Sequence, residues 1–437
     1  MSDFATHARA ADDRVSRAVG TAICQGLTLG AITMVFAVSP MMLYDWGFKY
    51  GDEGGSLLEK VHPGAWLALL AVVAQGLGRG NPIFVLEDFA RSRAVAFYLL
   101  CVAGLFAFTI LVRKQPFTPW IDTFVLPALI YGLIEGMSGV EKRRVALIIH
   151  AVLIANAALG LYENQTGYRL TSYVAGRFVI TDDWRATALL GHPLANALST
   201  GAYVIALSLG GGRELPAALR PVVIGLELVA LIAFGGRTSL VATLVILAGV
   251  GVFQAFRLLS GARFSPVWAG LSFLGFPVAL AILAQGAGAG FFDQMLQRFI
   301  DDNGSASARV TMLQLFDYIS WPDFLFGPDP DFIGHLQYSL GIEYGIESFW
   351  IAFVIMNGLL FSLLFFAGLG AFSWRLANVT RPATYVMLGY YYFVASTSVS
   401  MSTKTTTFAI FVAMALVLMR VDPLVPGGAA IPTSRPS

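Results

Sequence analysis

Apolar residues run through this chain in long blocks, broken by short polar stretches that carry most of the charge. A helix needs about 20 apolar residues to cross the hydrocarbon core of a bilayer. Blocks of that kind predict spans near 19–43, 62–78, 94–112, 117–137, 145–163, 186–209, 219–236, 238–256, 266–289, 346–372, 383–401 and 405–420. The second is short. The fourth is interrupted by Pro116, Pro119 and Pro127, and the seventh and eighth are divided only by Gly235-Gly236-Arg237. Most connections are short; the exceptions are 44–61, 164–185 and above all 290–345.

Composition agrees with lipid as the solvent. Hydrophobic residues make up 57% of the 437 and charged residues 13%, about half the charged share of soluble domains. The reading is an all-α integral membrane protein with about 12 transmembrane helices. It forms one polytopic domain over 1–437, with a large extracytoplasmic loop at 290–345 and a disordered Pro/Gly/Ala-rich tail at 421–437. The run after Arg9, Arg14 and Arg17 is too long for a signal-peptide core and reads as a retained first span. Lysine and arginine bias sets orientation. With the N-terminus inside, the clusters at 9–17 and 142–144 both fall inside, and an even span count puts both termini in the cytoplasm. A net charge of +1 gives no reason to expect nucleic acid. Cys24 and Cys101 lie in apolar runs, and no metal-ligand or cofactor motif is present, so no metal or cofactor is expected.

Ionisable groups among apolar residues are costly and tend to be functional. At 100° per residue, Arg185, His192, Asn196 and Ser199 fall within about 60° of one another. The stripe is expected to face a cavity or other helices, whether for binding or for simple interhelical hydrogen bonding. Arg237 follows two glycines at a helix start, where free N–H groups favour an anion and an Arg fork binds phosphate oxygens in pairs. Arg185 and Arg237 together suggest an anion held at the outer surface, against the plainer reading of headgroup anchors. Glu347 opens the span at 346–372, as a cap or as a general base. His335, on the preceding loop, is its rival. Lys404 sits in a hydroxyl-rich run at 396–407 that either lines a glycan path or satisfies a hairpin tip.

The segments Arg185-Ala-Thr-Ala-Leu-Leu-Gly-His192-Pro-Leu-Ala-Asn196, Phe234-Gly-Gly-Arg237-Thr-Ser-Leu240, Arg309 to Leu315 leading to Phe324-Leu-Phe-Gly327, and Glu347-Ser-Phe-Trp350 up to Asn357-Gly-Leu-Leu360 stand in an order that resembles the O-antigen ligase and polymerase superfamily. The resemblance covers roughly 185–372. It implies a GT-C-like architecture in a bacterial inner membrane and transfer of a glycan from a polyprenyl-diphosphate donor. The acceptor is a growing polysaccharide or a lipid, and a chain-length regulator is among the implied partners. Arg185 and Arg237 would hold the diphosphate, with His192, Asn196 and Lys404 along the substrate path. Ligases of this family carry a His where this chain has Ile346-Glu347-Ser348, which favours a polymerase, with Glu347 or His335 as the base. The competing classes are a ligase onto a lipid acceptor, a secondary transporter and a component of a polysaccharide-export complex.

Overall fold

The computed structural model describes residues 2–421 except 52–53, 79–86, 88, 90, 176–177, 182, 262–283, 289, 301–304 and 343–344. The expected span at 266–289 and the expected tail therefore lie almost wholly outside the described residues. What is described is a helical membrane bundle, with one small antiparallel pair, β1 (Val174–Ala175) and β2 (Phe178–Val179). Its principal helices are α1 (Ser2–Ala37), α2 (Pro63–Gly78), α3 (Arg93–Leu111), α4 (Leu126–Glu135), α5 (Gly139–Thr166), α6 (Pro193–Ser208), α7 (Leu219–Phe234), α8 (Arg237–Leu259), α9 (Phe349–Asn357), α10 (Leu359–Val379), α11 (Thr384–Ala395) and α12 (Thr407–Leu418). Five of them, α1 over Gly20–Ala37 with α3, α5, α8 and α10, are long and apolar enough to cross a membrane. The others are shorter.

Local chemistry sets the helix ends. Ser138 and Glu141 form a reciprocal cap at the start of α5, and Gly167 closes it at φ 72°, a left-handed conformation that costs glycine least. Gly235 ends α7 at φ 65° and Gly236 opens α8, so the expected hairpin is present. A Cβ on Gly236 would sit 2.4 Å from that of Ala197, which shows how closely the turn presses on α6.

Four expected spans differ in form. The segment from 117 to 137 enters as Thr118–Trp120, widens into a π turn at Ile121–Val125 and only then becomes α4. Pro127 has no N–H for the carbonyl four residues back and its ring crowds that oxygen, so the turn before it opens. The segment from 346 to 372 is two helices, α9 and α10, broken at Gly358 with φ 80°. They fold back on each other: Phe353 stacks on Phe365, Phe349 meets Phe366, and the Ser362 hydroxyl donates to the Phe353 carbonyl. A Cβ at Gly358 would lie 2.4 Å from the Gly327 nitrogen, so only glycine fits this corner. Finally, α11 and α12 have 12 residues each. At about 1.5 Å per residue each spans about 18 Å, well short of the ~30 Å hydrocarbon core.

The described residues of the 290–345 region include the short helices Asp293–Ile300, Ser305–Gln314, Trp321–Phe326 and Pro330–Ser339, the last two capped by Ser320 and Asp329. Met312, Leu315, Ile333 and Ile342 pack with Ala352 and Ile355 of α9. Arg113 donates to the carbonyls of Gly327 and Met356, each at 2.9 Å. This segment is therefore docked on the bundle rather than trailing from it.

Segments that the charge bias assigns to one side gather at one end. There Arg375 pairs with Glu135 at 2.8 Å, Arg420 with Glu214 at 2.7 Å, and Arg381 donates to the Gly210 carbonyl. The 44–61, 164–185 and 396–406 segments gather at the other end, described next.

Candidate functional site

The helices α11 and α12 have 12 residues each, and the segment joining them forms the floor of a cavity. The cavity, of about 840 Å³, is lined by Val35, Val38 and Ser39 at the end of α1, by Tyr50, by His192, Leu194 and Leu198 of α6, and by 398–400 and 403–407. Two of the expected binding residues, His192 and Lys404, line it.

Lys404 is held by a network that starts at the π turn. Asp122, fully buried, accepts from the Tyr50 hydroxyl at 2.7 Å and from the His62 backbone N–H at 3.1 and 3.2 Å. The Lys404 ammonium lies 3.6 Å from the Asp122 carboxylate, sits 3.5 Å over the Tyr50 ring, and donates to the backbone carbonyls of Tyr50 and Lys60. Next to Asp122, the Thr123 hydroxyl donates to the Thr403 carbonyl and accepts from the Thr405 N–H. The π turn thus seats the floor segment and its one lysine together. Burial pulls the Lys404 pKa down to about 8, against the opposing pull of Asp122. Tyr50 is raised well above its ordinary value, by burial first and then by Asp122, so it stays a hydroxyl donor.

His192 caps α6, its Nδ1 accepting from the Leu194 N–H at 3.2 Å. Its ring meets Tyr173 edge-on at 5.4 Å, and the Tyr173 hydroxyl accepts from Arg185 at 2.8 Å. Arg185 itself forks onto Asp183, from Nε at 2.9 and 3.0 Å and from Nη2 at 2.5 Å. Its side chain is 12% exposed. The fork expected to be open for an anion is therefore occupied by Asp183, and Arg185 stands one aromatic ring behind the cavity. Arg237 is half-buried at the first turn of α8, two residues from Gly235, against which the Arg185 stem packs. The two arginines share a corner, as the sequence suggests, but neither lines the cavity. Asn196 is buried and donates to the carbonyls of Thr187 (2.5 Å) and His192 (3.1 Å), so it ties the loop to the helix rather than facing the cavity. Its α6 stripe faces other helices, since 196–207 are buried throughout.

The two candidate bases lie elsewhere. Glu347 precedes the helix rather than opening it: Ser348 is the cap and α9 begins at Phe349. Glu347 is half-buried, and its segment leans on the floor, with Gly345 against Val399 and Trp350 Nε1 donating to Ser396 at 2.6 Å. His335 is exposed on the Pro330–Ser339 helix. A smaller cavity of about 240 Å³, lined by Arg113, Trp120, Ile333 and Asn357, shares Thr403 with the larger one.

Two acids carry structure that the sequence reading passed over. Glu163, buried near the end of α5, accepts the N–H groups of Leu170 (2.8 Å), Thr187 (2.8 Å) and Ala188 (2.9 Å). That holds the loop before His192 in place, with Ala188 at φ 40°, a strained value for a non-glycine residue. Asp122 is the second. Each is a lone carboxylate within or at the end of an apolar run, and that alone was the available signal. Among the described residues no group of three or more His, Cys, Asp or Glu side chains is placed to hold a metal ion. In comparisons with known proteins, no family model matches the chain and no curated protein matches it.

Proposed function

We propose that this chain is a membrane glycosyltransferase of the bacterial inner membrane, with both termini cytoplasmic. It moves a glycan from a polyprenyl-diphosphate donor to a sugar hydroxyl, acting as a repeat-unit polymerase at the outer face. The observation that carries the reading is the cavity: one lysine on a floor of hydroxyls, flanked by the apolar side chains of Val35, Val38, Leu194 and Leu198. Hydroxyls and an ammonium suit a sugar diphosphate; the apolar flank suits a prenyl chain. In this reading Lys404 and His192 meet the diphosphate. Arg185 positions His192 through Tyr173, and Arg237 adds positive charge at the same corner. The acceptor oxygen attacks the anomeric carbon as the bond from that carbon to the diphosphate oxygen breaks. The acceptor's proton passes to the Glu347 carboxylate, which lies outside the cavity lining beside the floor segment and is reached by an acceptor entering from that side; the anomeric configuration inverts, and the lipid diphosphate leaves. Glu347 is chosen over His335 because its segment is fastened to the floor through Trp350 and Ser396.

The test uses purified protein in nanodiscs with a lipid-linked repeat unit. Lys404→Met should lower turnover by about 10²–10³-fold, as loss of a preorganised charge stabiliser does, with the protein still folded. Undiminished polymer formation by this variant overturns the reading. A secondary transporter is the second reading, favoured by the buried acid discussed next; a deletion strain would then strand lipid-linked donor inside the cell, whereas a transferase defect leaves it outside.

A further inference from the structure

The α6 stripe does not stop at Asn196. Thr200 and Tyr203 continue it at spacings of four and three, so it reaches from the cavity to the opposite end of the bundle. There the Tyr203 hydroxyl lies 2.6 Å from Nδ1 of His150 on α5. His150 Nε2 lies 3.6 Å from Glu214, and the other Glu214 oxygen lies 2.7 Å from Arg420. His150 and Glu214 are buried, while Arg420 is 23% exposed and opens the line to solvent.

Midway along α7, Glu227 is 0% exposed. Its carboxyl lies beside the Thr200 hydroxyl and within electrostatic reach of Tyr203. Yet neither carboxyl oxygen nor the Thr200 hydroxyl closes a hydrogen bond. Among the described residues, the helices packed against α7 supply no countercharge at this depth. α5 brings His150 and α6 brings Tyr203, while α8 has no ionisable side chain between Arg237 and Arg257. A bare carboxylate among apolar side chains, with one neutral hydroxyl beside it and no cation among the described residues, is far too costly to persist. Glu163 is the contrast: it is as deeply buried, but three backbone N–H groups answer its charge.

We propose that Glu227 is a proton-binding group of the bundle interior, exchanging its proton with the Arg420 end of the bundle through Tyr203, His150 and Glu214. In the outward step the Glu227 carboxyl, which closes no hydrogen bond at rest, turns to the Tyr203 oxygen and gives it its proton. The Tyr203 hydroxyl proton passes to His150 Nδ1, and the proton on Nε2 passes to Glu214 and then to solvent. Each group ends with the proton count it began with, except Glu227, which has lost one. This site is independent of the transfer chemistry assigned to the cavity, and its test reads no transfer activity.

Full-length protein in nanodiscs is treated with dicyclohexylcarbodiimide, which modifies carboxyl groups that hold a proton in apolar surroundings, and the adducts are mapped by mass spectrometry. The expected result is an adduct on Glu227 and none on Glu163. Equal labelling of the two, or none on Glu227, overturns the proton site. Infrared spectra supply the second measurement. Glu227→Gln should lose a protonated-carboxyl band, and Tyr203→Phe should keep that band but slow its hydrogen–deuterium exchange by about 10²-fold, the lower end of what a positioned proton-transfer group contributes. Unchanged exchange in Tyr203→Phe overturns the path through His150.

Discussion

Asp122→Asn isolates the pair on which the cavity floor depends. The substitution keeps the shape and one oxygen for the Tyr50 hydroxyl and the His62 N–H, but removes the charge 3.6 Å from Lys404. The Lys404 side chain is 12% exposed, so solvent screens the loss only weakly. Even with Asp122 present, its pKa falls from 10.5 to about 8. At about 1.4 kcal/mol per unit, holding the ammonium in the fold already costs about 3 kcal/mol at neutral pH. Between pH 8 and 10.5 the unfolded chain binds the proton more readily than the folded one, so this contribution to stability rises with pH across that window. Removing one partner of a buried pair costs about 3–5 kcal/mol. Asp122→Asn should therefore destabilise the protein by about that much at pH 7. The deficit should shrink by pH 10, where Lys404 is neutral in both proteins. Lys404→Met on the Asp122→Asn background should restore part of the loss. Thermal unfolding of the four proteins in detergent at both pH values reads the outcome. A penalty equal at pH 7 and pH 10, or a double variant no more stable than Asp122→Asn, refutes the pairing argument.

Three further outcomes follow from the same geometry. Binding of inorganic pyrophosphate to the cavity, followed by calorimetry, should weaken as pH rises through about 8, because Lys404 gives up its charge there; affinity flat from pH 6.5 to 9.5 would remove Lys404 from the anion site. Glu163→Gln should cost about 1–3 kcal/mol, the price of buried donors left without their acceptor, and amide exchange should accelerate at Leu170, Thr187 and Ala188 ahead of the rest of the bundle. Gly358→Ala should lower the melting temperature sharply, since φ 80° with ψ 157° is a backbone region almost confined to glycine and the added Cβ meets the 326–327 backbone within 2.4–2.5 Å; an unchanged melting curve would mean that α9 and α10 do not turn on this residue.

Apolar runs by themselves determined that the chain is a helical membrane bundle, because lipid demands that every backbone group be satisfied within the segment. They also set the α7–α8 hairpin at Gly235-Gly236, where glycine tolerates the turn. Charge bias sorted the connections into two sets, and Arg375, Arg381 and Arg420 of one set meet Glu135, Gly210 and Glu214 at one end of the bundle. His192 and Lys404 were legible as polar residues out of place in apolar surroundings. Depth and partnership were not. Hydropathy counts apolar residues but does not say whether they run straight, so 346–372 reads as one span although Gly358 folds it back. Nor does hydropathy show that the segment joining α11 and α12 forms the floor of a cavity. Partners decide the rest: Asp183, two residues away, takes the Arg185 fork, Asp122 answers Lys404 across 282 positions, and Glu227 has only the neutral Thr200 hydroxyl beside it among the described residues. An ionisable side chain announces its cost in the sequence, but only the tertiary structure decides which group, if any, offsets it.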